Sequence, residues 1–497
     1  MPLSRRTFLH ASGAAALAAA LPERLLGDPY APLFRTGPRA DVVRVRGRVT
    51  AGRRGLSGVA VSDGVTIVPT AADGTFELIA DRAQPFVQLS LPAGYRIPAS
   101  PTGTAACFRP LAPPPGSSTM DASFALEPLP DGDGDHAFLL LADPQTENLF
   151  EVGRLHAEAV PDVRATVQGL GERPVFGVAC GDIMFDDLSL YPEYERAVLA
   201  MGIPFFQVLG NHDPVQTSGT DEGANATFER HFGPTYYAFD RGEVHYVVLD
   251  DVFWYGTGYL GHVGQRQLQW LAADLARVEA GRTVIVFLHI PALSTRGPRN
   301  AEGSDISWSM TNREALYRLL EPYTAYAISG HTHEHERHGD GGIRHHVTGT
   351  VCGAWWSGDI CWDGTPNGYG VYEVRGSEVR WRYKSTGQPA DHQLRVYRQG
   401  SDPQSPDDVI ANVWDADESW TVVWYENGER RGTMGRRLGR DPRAVAEQTG
   451  PGAPPRRQWV EPLMTSHLYH APATPGARVR VEATDGWGRT YSAEASG

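Results

Sequence analysis

The feature that most constrains the fold of this chain is a set of five short apolar runs. Each run is followed directly by residues that can bind a metal ion. The runs are continuous rather than alternating, as in strands covered on both faces of a sheet. Residues 138–142 lead to Asp143 and Gln145, residues 175–180 to Asp182, residues 204–209 to Asn211, His212 and Asp213, residues 284–288 to His289, and residues 327–329 to His331 and His333. Because the carboxyl ends of strands in an open α/β sheet meet at one crevice, the pattern predicts a single site built from all five runs.

The order of these motifs resembles that of the calcineurin-like metallophosphoesterases. The series is Asp-x-Gln, Gly-Asp, Gly-Asn-His-Asp, a single histidine and Gly-His-Thr-His, within residues 135–386. The resemblance implies an α/β fold in which a sandwich of two mixed sheets is flanked by helices. It also implies two divalent or trivalent metal ions, of Mn, Fe or Zn. Metal one would take Asp143, Gln145, Asp182 and His333, and metal two would take Asp182, Asn211, His289 and His331.

Two cations held in this way suit phosphoester hydrolysis. They can hold a bridging hydroxide near neutral pH, clamp the phosphoryl oxygens and neutralise charge during in-line attack at phosphorus. By resemblance, the bridging anion would be Asp182. His212 would not bind metal but would face the leaving group as a general acid or charge stabiliser, and Asp213 would orient its ring. Of Asp186 and Asp187, one is expected to support the site and the other to be a solvated loop residue.

Gln145 departs from the family pattern, which has histidine in most members at this position. An amide oxygen is a neutral and weaker ligand than imidazole, and it suits Mn²⁺ better than softer metals. The departure leaves two functions open. The chain is predicted to be an exported phosphoesterase acting on a phosphodiester with an organic or lipid head group. The alternative is an extracytoplasmic binding or adhesion-like protein with a catalytically weakened phosphoesterase fold.

The rest of the chain predicts small all-β domains on each side of the catalytic domain. Residues 41–128 alternate in short strands separated by Asp-Gly turns and resemble a transthyretin-like or carboxypeptidase-regulatory β-sandwich. After residues 135–386, residues 387–497 read as a second β-rich domain. The N-terminal region contains no convergent set of catalytic groups, so a structural or positioning role is expected for it.

The first 27 residues predict export. Arg5 and Arg6 precede an apolar run that is too short to span a bilayer, and the pattern resembles a twin-arginine signal. No later stretch of the 497 residues reaches transmembrane length, so a periplasmic or secreted protein without a membrane anchor is expected. The net charge of −14 argues against a partner such as nucleic acid, which needs a basic surface.

Two further groups leave alternatives open. Trp355 and Trp356 are adjacent, so both cannot face one core across a strand, and one could line the wall of a substrate cleft while core packing is the other reading. Trp254, Tyr255 and Tyr259 could border the same cleft. Cys352 and Cys361 are close in sequence, and in an oxidising compartment they could form a disulfide.

Overall fold

A computed structural model describes residues 41–301 and 305–495. The predicted signal peptide at residues 1–27 lies outside the described residues. Nine strands precede the catalytic domain: β1 Val42–Ala51, β2 Arg54–Gly55, β3 Ala60–Ser62, β4 Ile67–Pro69, β5 Thr75–Asp81, β6 Phe86–Leu89, β7 Phe108–Pro110, β8 Thr119–Asp121 and β9 Phe124–Leu126.

These strands form two small sheets. The strand β1 lies between β2 and β5 and also pairs in parallel with β8 and β9, while the second sheet has the order β4-β3-β6-β7. Buried and exposed residues alternate along β1, as in a strand with one face on the core. Val43, Val45 and Val49 are buried, whereas the arginines between them face outward. This is the β-rich N-terminal region that the sequence predicts.

In the described part of the central domain there are thirteen further strands. They are β10 Asp135–Leu141, β11 Val175–Cys180, β12 Phe205–Val208, β13 Tyr237–Arg241, β14 Val244–Val248, β15 Val252–Trp254, β16 Tyr259–Gly261, β17 Thr283–Phe287, β18 Thr324–Ser329, β19 Glu336–Asp340, β20 Ile343–Val347, β21 Gly368–Arg375 and β22 Glu378–Ser385. One mixed sheet has the order β12-β11-β10-β21-β22 and the other has the order β13-β14-β17-β18-β20-β19. The strands β10, β11 and β12 are parallel, and so are β14, β17 and β18. All five predicted ligand-bearing runs are therefore strands of these two sheets.

Stacked aromatic rings fill the space between the two sheets. The ring of Phe138 in β10 stacks on Tyr372 at 4.4 Å and meets Phe287 of the other sheet edge-on at 5.5 Å. Tyr246 stacks on Phe239 at 5.0 Å and approaches Phe138 edge-on at 5.8 Å. Such rings bury large apolar areas in fixed geometries, so the two sheets are held in register with each other. The two-sheet fold expected from the sequence is confirmed.

The central helices lie between these strands in sequence. They are α1 Leu149–Arg154, α2 Val160–Gly169, α3 Tyr191–Met201, α4 Asp221–Ala224, α5 Ala226–Phe232, α6 Gln265–Leu275, α7 Arg296–Asn300 and α8 Arg313–Leu320. One π-helical turn, Leu155–Ala159, joins α1 to α2. The helix α3 ends at Gly202, whose left-handed φ of 81° is the conformation glycine adopts at a helix C-terminus.

The C-terminal region consists of two four-stranded sheets with one shared apolar core. Its strands are β23 Arg395–Tyr397, β24 Asp408–Asn412, β25 Thr421–Glu426, β26 Glu429–Thr433, β27 Gly435–Arg440, β28 Met464–Pro472, β29 Val479–Thr484 and β30 Thr490–Glu494, and one helix, α9 Pro442–Gln448, lies before β28. The sheet orders are β23-β24-β28-β27 and β26-β25-β29-β30. Asn427 and Gly428 form the turn between β25 and β26 with left-handed φ values of 51° and 90°.

A buried lysine and a buried histidine form ion pairs that join elements of the central domain. Lys384 of β22 lies 2.7 Å from the carboxylate of Asp162 in α2, and both side chains are almost fully buried. His245 of β14 lies between Asp240 at 3.0 Å and Asp274 at 2.8 Å. Burial alone would lower the pKa of His245, but its hydrogen bonds to the two carboxylates outweigh that effect and raise the pKa to about 9.

Candidate metal centre

The seven predicted ligands lie at the carboxyl ends of five strands and face one another. They follow β10, β11, β12, β17 and β18, and none exposes more than 7% of its surface: Asp143, Gln145, Asp182, Asn211, His289, His331 and His333. Buried polar side chains must find partners, because leaving them unpaired costs free energy. In this site the buried polar side chains are hydrogen-bonded largely to one another.

Five of these seven residues have a backbone in the left-handed conformation. Of the eleven non-glycine residues with positive φ in the described part of the chain, six belong to this region: Asp143, Gln145, Asp182, Asp186, His331 and His333. Such conformations are costly for residues with a Cβ, and they cluster at functional sites where the surrounding structure enforces them. The turns after β10, β11 and β18 therefore adopt a strained backbone that places the side chains of the site.

Glycines before the ligands allow the strand ends to approach closely. A Cβ on Gly210 would lie 1.8 Å from the backbone nitrogen of Asp182, and one on Gly330 would lie 2.3 Å from a carboxylate oxygen of Asp143. Neither distance is sterically allowed. The Gly-Asn-His and Gly-His-Thr-His motifs thus need glycine because a ligand from a neighbouring strand occupies the space of its side chain.

One half of the site is formed by Asp182, Asn211, His289 and His331. Ligand atoms of Asp182, His289 and His331 all lie within 4.8 Å of one another. The Nε2 of His289 lies 3.2 Å from Oδ1 of Asp182 and 2.9 Å from Oδ1 of Asn211. Four donors of oxygen and imidazole nitrogen at this separation form a set that suits a transition-metal cation.

The other half is formed by Asp143, Gln145 and His333, again next to Asp182. The Nε2 of His333 lies 3.6 Å from Oδ1 of Asp143. The amide nitrogen of Gln145 donates to Oδ2 of Asp182 at 3.1 Å, and the amide oxygen faces the thiol of Cys352 at 4.0 Å. The structure thus brings Gln145 to the predicted place but turns its nitrogen, rather than its ligating oxygen, towards Asp182.

Each of the three histidines predicted as ligands uses one ring nitrogen for a hydrogen bond to a backbone carbonyl. The Nδ1 of His289 bonds to the carbonyl of Cys180 at 3.0 Å, and that of His333 bonds to the carbonyl of Gly353 at 2.6 Å. In His331 it is Nε2 that bonds to the carbonyl of Ser307, at 3.1 Å. Metal-binding histidines typically fix their tautomer and orientation in this way, which leaves the other nitrogen for the metal.

The charges of the site also fit bound cations. Burial lowers the pKa of His331 and of His333 to about 3, so both rings are neutral, as ligands must be. Burial and the nearby charge of Asp182 raise the pKa of Asp143. For Asp182 burial acts in the same direction, but the charges of His289 and His212 outweigh it and lower the pKa. Burial would lower the pKa of His289, but the charge of Asp182 outweighs it and raises that pKa to about 10, so this ring must lose a proton to bind a cation. The two carboxylates, the neutral rings of His331 and His333 and the amides are a donor set for divalent ions.

His212 occupies the rim rather than the ligand set. Its backbone N–H donates to Oδ1 of Asp182 at 2.8 Å, while its side chain is 25% exposed. The ring Nδ1 lies 2.7 Å from a carboxylate oxygen of Asp186, and the ring stacks on Phe185 at 4.5 Å. The Nε2 therefore remains on the side of the predicted metal centre, 4.0 Å from Oδ2 of Asp182.

The predicted role of Asp213 is wrong. Its carboxylate is fully buried and accepts the backbone N–H groups of Ile183 and Gly210 and the hydroxyl of Tyr191. These bonds connect the turns after β11 and β12, and the imidazole of His212 is oriented by Asp186 instead. Adjacent residues on a tight turn point in different directions, so sequence neighbourhood was a poor guide to this contact.

The two adjacent tryptophans have different roles. The indole N–H of Trp356 donates to the carbonyl of Pro144, and this side chain is buried in the core. Trp355 is half-buried and stacks on the ring of His333 at 4.1 Å with an interplanar angle of 19°. Both residues have left-handed φ values, 51° and 57°. One member of the pair thus packs in the core and the other borders the metal centre.

Two other expectations have different outcomes. Tyr259 meets the ring of His331 edge-on at 6.0 Å, so this aromatic loop does reach the site. Cys352 and Cys361 are free thiols, so the disulfide left open by the sequence does not form. Both sulfur atoms lie 3.7 Å from the hydroxyl of Thr350.

Sequence reasoning missed a group of side chains from the C-terminal region. Arg457 and Trp459 follow α9 in a proline-rich loop and reach the rings around the metal centre. Trp308 also approaches His331, at 5.7 Å. No periodicity marks these residues, because they lie in loops. In the sequence, the one indication of these contacts was the presence of tryptophans in otherwise polar surroundings.

In a comparison with known proteins, family profiles match most of the chain. Residues 136–335 match the profile described as calcineurin-like phosphoesterase, residues 43–129 match its N-terminal profile, and residues 345–491 match its C-terminal profile. Residues 2–22 match the twin-arginine translocation signal, so the chain is exported to the periplasm or secreted. Among the described residues, no helix is long and apolar enough to cross a membrane.

Curated relatives are similar at low identity. Serine/threonine-protein phosphatase CPPED1 from Bos taurus is 28% identical over 177 residues, which is 34% of this chain and 56% of that protein. The protein of the same name from Homo sapiens is 26% identical over 233 residues, covering 43% of this chain and 74% of that protein. The chain thus spans just over half the length of the bovine relative.

Solved structures also align with about half of the chain. A dimetal phosphatase from Danio rerio aligns with 50% of this chain and 96% of its own, with 18% identity and a TM-score of 0.37. The phosphopantetheinyl hydrolase PptH from Mycobacterium tuberculosis aligns with 44% of this chain and 91% of its own, with 11% identity and a TM-score of 0.28.

Proposed function

Because the chain belongs to the calcineurin-like phosphoesterases that carry their own N- and C-terminal domains, we propose that it is an exported hydrolase of phosphodiesters with an organic or lipid head group. When two metal ions are bound, they supply a nucleophile near neutral pH and a clamp for the phosphoryl oxygens. Asp143, Gln145, Asp182 and His333 would hold one ion. Asp182, Asn211, His289 and His331 would hold the other.

The position of Asp182 is the observation that carries this proposal. One carboxylate oxygen faces His289 and the other faces Gln145, which belong to different halves of the site. A carboxylate placed in this way would be available to the ions of both halves. The backbone N–H of His212 also donates to Asp182, so the bridge and the rim histidine are fixed together.

His212 then has the position of a leaving-group residue. Its Nδ1 is held by Asp186 and its ring face by Phe185, which together fix the direction of Nε2. A proton held at Nε2 can pass to a departing alkoxide, whose protonation lowers the cost of leaving. The choice of a diester over a monoester rests on the aromatic rings beside the site, which could receive an organic substituent.

The test combines metal content with turnover. Full-length mature protein is stripped with a chelator and reloaded separately with Mn²⁺, Zn²⁺ or Fe. It is then assayed on an aryl phosphodiester, an alkyl phosphodiester and the matching monoesters. We expect two metal ions per chain and faster turnover of the diesters. Two bound ions without turnover of any ester would instead favour the extracytoplasmic binding protein, and faster monoester turnover would contradict the diester preference.

A further inference from the structure

A chain of aromatic contacts connects the predicted metal centre to the C-terminal region. Trp355 stacks on the ligand His333 at 4.1 Å, and Trp459 meets Trp355 edge-on at 5.9 Å. The guanidinium of Arg457 lies 5.3 Å from the ring of Trp459 and 4.8 Å from that of Phe185. The loop between α9 and β28 therefore extends over the catalytic domain at the rim of the site.

This loop is anchored by a buried arginine. The Arg457 side chain is only 9% exposed, and its Nη2 bonds to Glu147 at 2.7 Å and to Glu151 at 3.1 Å. Its φ of 60° is left-handed, which indicates that the position is imposed by these contacts. Both acidic partners belong to the catalytic domain, so the loop is a fixed wall and not a loose appendage.

A cleft of about 460 Å³ opens between this loop and the catalytic domain. On the catalytic side it is lined by Phe150, Trp355 and Trp356, and on the C-terminal side by Pro454, Pro455 and Arg456. Ser357, Glu151 and Arg154 also line it, and the two charged side chains are already paired, with Arg457 and Glu158 respectively. This volume is within the range of small-ligand pockets, which are lined mainly by apolar and aromatic groups.

The walls of this cleft favour a flat apolar occupant. Phe150 is 63% exposed, which leaves a large ring at the mouth of the cleft. The guanidinium of Arg456 lies 5.8 Å from that ring. Aromatic faces and a guanidinium plane both stack on flat rings.

We propose that this cleft is the subsite for the organic substituent of the phosphoester, that it selects a flat aromatic group, and that the C-terminal domain is thereby a specificity element. The inference rests on the proposed function, since it concerns the same substrate. Trp355 supports it because one indole both covers the ligand His333 and lines the cleft. A substituent attached to phosphorus at the metal centre would pass along that ring.

The test measures binding separately from turnover. Phenylphosphonate and methylphosphonate, which are not hydrolysed, are titrated by calorimetry into the metal-loaded full chain. We expect phenylphosphonate to bind at least about tenfold more tightly. Phe150→Ala and Arg456→Ala should each weaken phenylphosphonate binding by about two- to tenfold and leave methylphosphonate unchanged, since a single ring contact contributes about 0.5–1.5 kcal/mol. Both side chains are exposed, so folding should not suffer.

Trp487→Ala is the matched control. Trp487 also belongs to the C-terminal region and meets a tryptophan of the central domain, Trp381, edge-on at 4.5 Å. It lines a different cavity, beside Tyr326 and Arg344. Removing this indole should leave the affinities for both phosphonates unchanged.

The outcomes separate this inference from the proposed function. Equal affinity of the wild type for the two phosphonates would overturn the subsite, even if phosphoesters are hydrolysed. Equal losses for both ligands in Phe150→Ala would overturn it as well. Selective phenylphosphonate binding that depends on Phe150 and Arg456 would support the subsite, even in a protein that hydrolyses no ester.

Discussion

Replacement of Asp186 by alanine isolates the contact that orients the ring of His212. The carboxylate lies 2.7 Å from Nδ1. Hydrogen bonds that involve a charged group contribute about 1.5–3 kcal/mol. The Asp186 side chain is 39% exposed, so solvent screening places the effect near the lower end of that range. A loss of about 1.5 kcal/mol in the transition state corresponds to a roughly tenfold lower kcat.

The assay compares this variant with His212→Ala on two diesters. Loss of His212 itself should lower turnover by about 10²–10⁴-fold, with a larger loss for an alkyl than for an activated aryl leaving group. Because Asp186 acts through His212, Asp186→Ala should cost little further activity in the His212→Ala background. Asp186→Asn should retain part of the activity, since its amide oxygen can still accept a hydrogen bond from Nδ1.

Asp187→Ala provides the control for this cycle. Asp187 is the adjacent exposed aspartate, and it accepts hydrogen bonds from the backbone and the hydroxyl of Ser189. Its loss should leave kcat unchanged. The reasoning would be refuted if Asp186→Ala cost the same factor with and without His212, or if Asp186→Ala released a metal ion, which would make Asp186 part of the ligand set.

Three further predictions concern the bridge, a buried ion pair and a buried histidine. Asp182→Asn should bind fewer than two metal ions by elemental analysis and lose turnover, while its circular dichroism stays that of the wild type. Lys384→Met leaves the carboxylate of Asp162 buried without its cation, and urea denaturation should show a loss of about 3 kcal/mol; an unchanged midpoint would contradict this. Because the pKa of His245 is raised to about 9 in the folded state, its stabilising contribution is complete below about pH 6.5 and is lost as the pH rises towards 9. The measured quantity is the free energy of unfolding of the wild type minus that of His245→Asn. It should fall by up to about 3 kcal/mol over this pH window. A difference that does not change with pH would refute the raised pKa of His245.

The strand ends were predictable because their signals are local. A continuous apolar run specifies a buried strand, and a glycine followed by a polar residue specifies the turn at its end. The structure adds the reason for the glycine: Gly210 and Gly330 leave room for Asp182 and Asp143. The residue types of the site could thus be read from sequence, whereas the close approach that requires glycine could not.

Contacts that depend on side-chain direction were not predictable. Asp213 is adjacent to His212 in sequence, yet it faces the backbone of Ile183, and Asp186 takes the predicted role. Cys352 and Cys361 are close in sequence and space, yet they remain thiols. In both cases the sequence places residues near one another but does not fix which way they point.

Contacts between loops that are distant in the chain could not be predicted from the sequence either. Arg457 pairs with Glu147 and Glu151 across about 300 positions of the chain, and no periodic pattern marks a loop residue as buried. The loop reads as proline-rich and polar, which predicts solvent exposure. The burial of the Arg457 side chain within this loop follows from its contacts with the catalytic domain, a property of the whole fold.

A strained, left-handed backbone is common to residues at the predicted metal centre and to residues at the domain boundary. Besides the left-handed residues around the predicted metal ions, Trp355, Trp356 and Arg457 are also left-handed. Each such residue costs about 1–3 kcal/mol and persists only if its surroundings over-determine it. Arg457 is held by two carboxylates of the catalytic domain, so contacts at the domain boundary offset the strain in the loop beside the cleft. Trp356 is held by a buried hydrogen bond to Pro144 within the catalytic domain. The C-terminal region therefore contributes to the shape of the site through the same contacts that attach it to the catalytic domain.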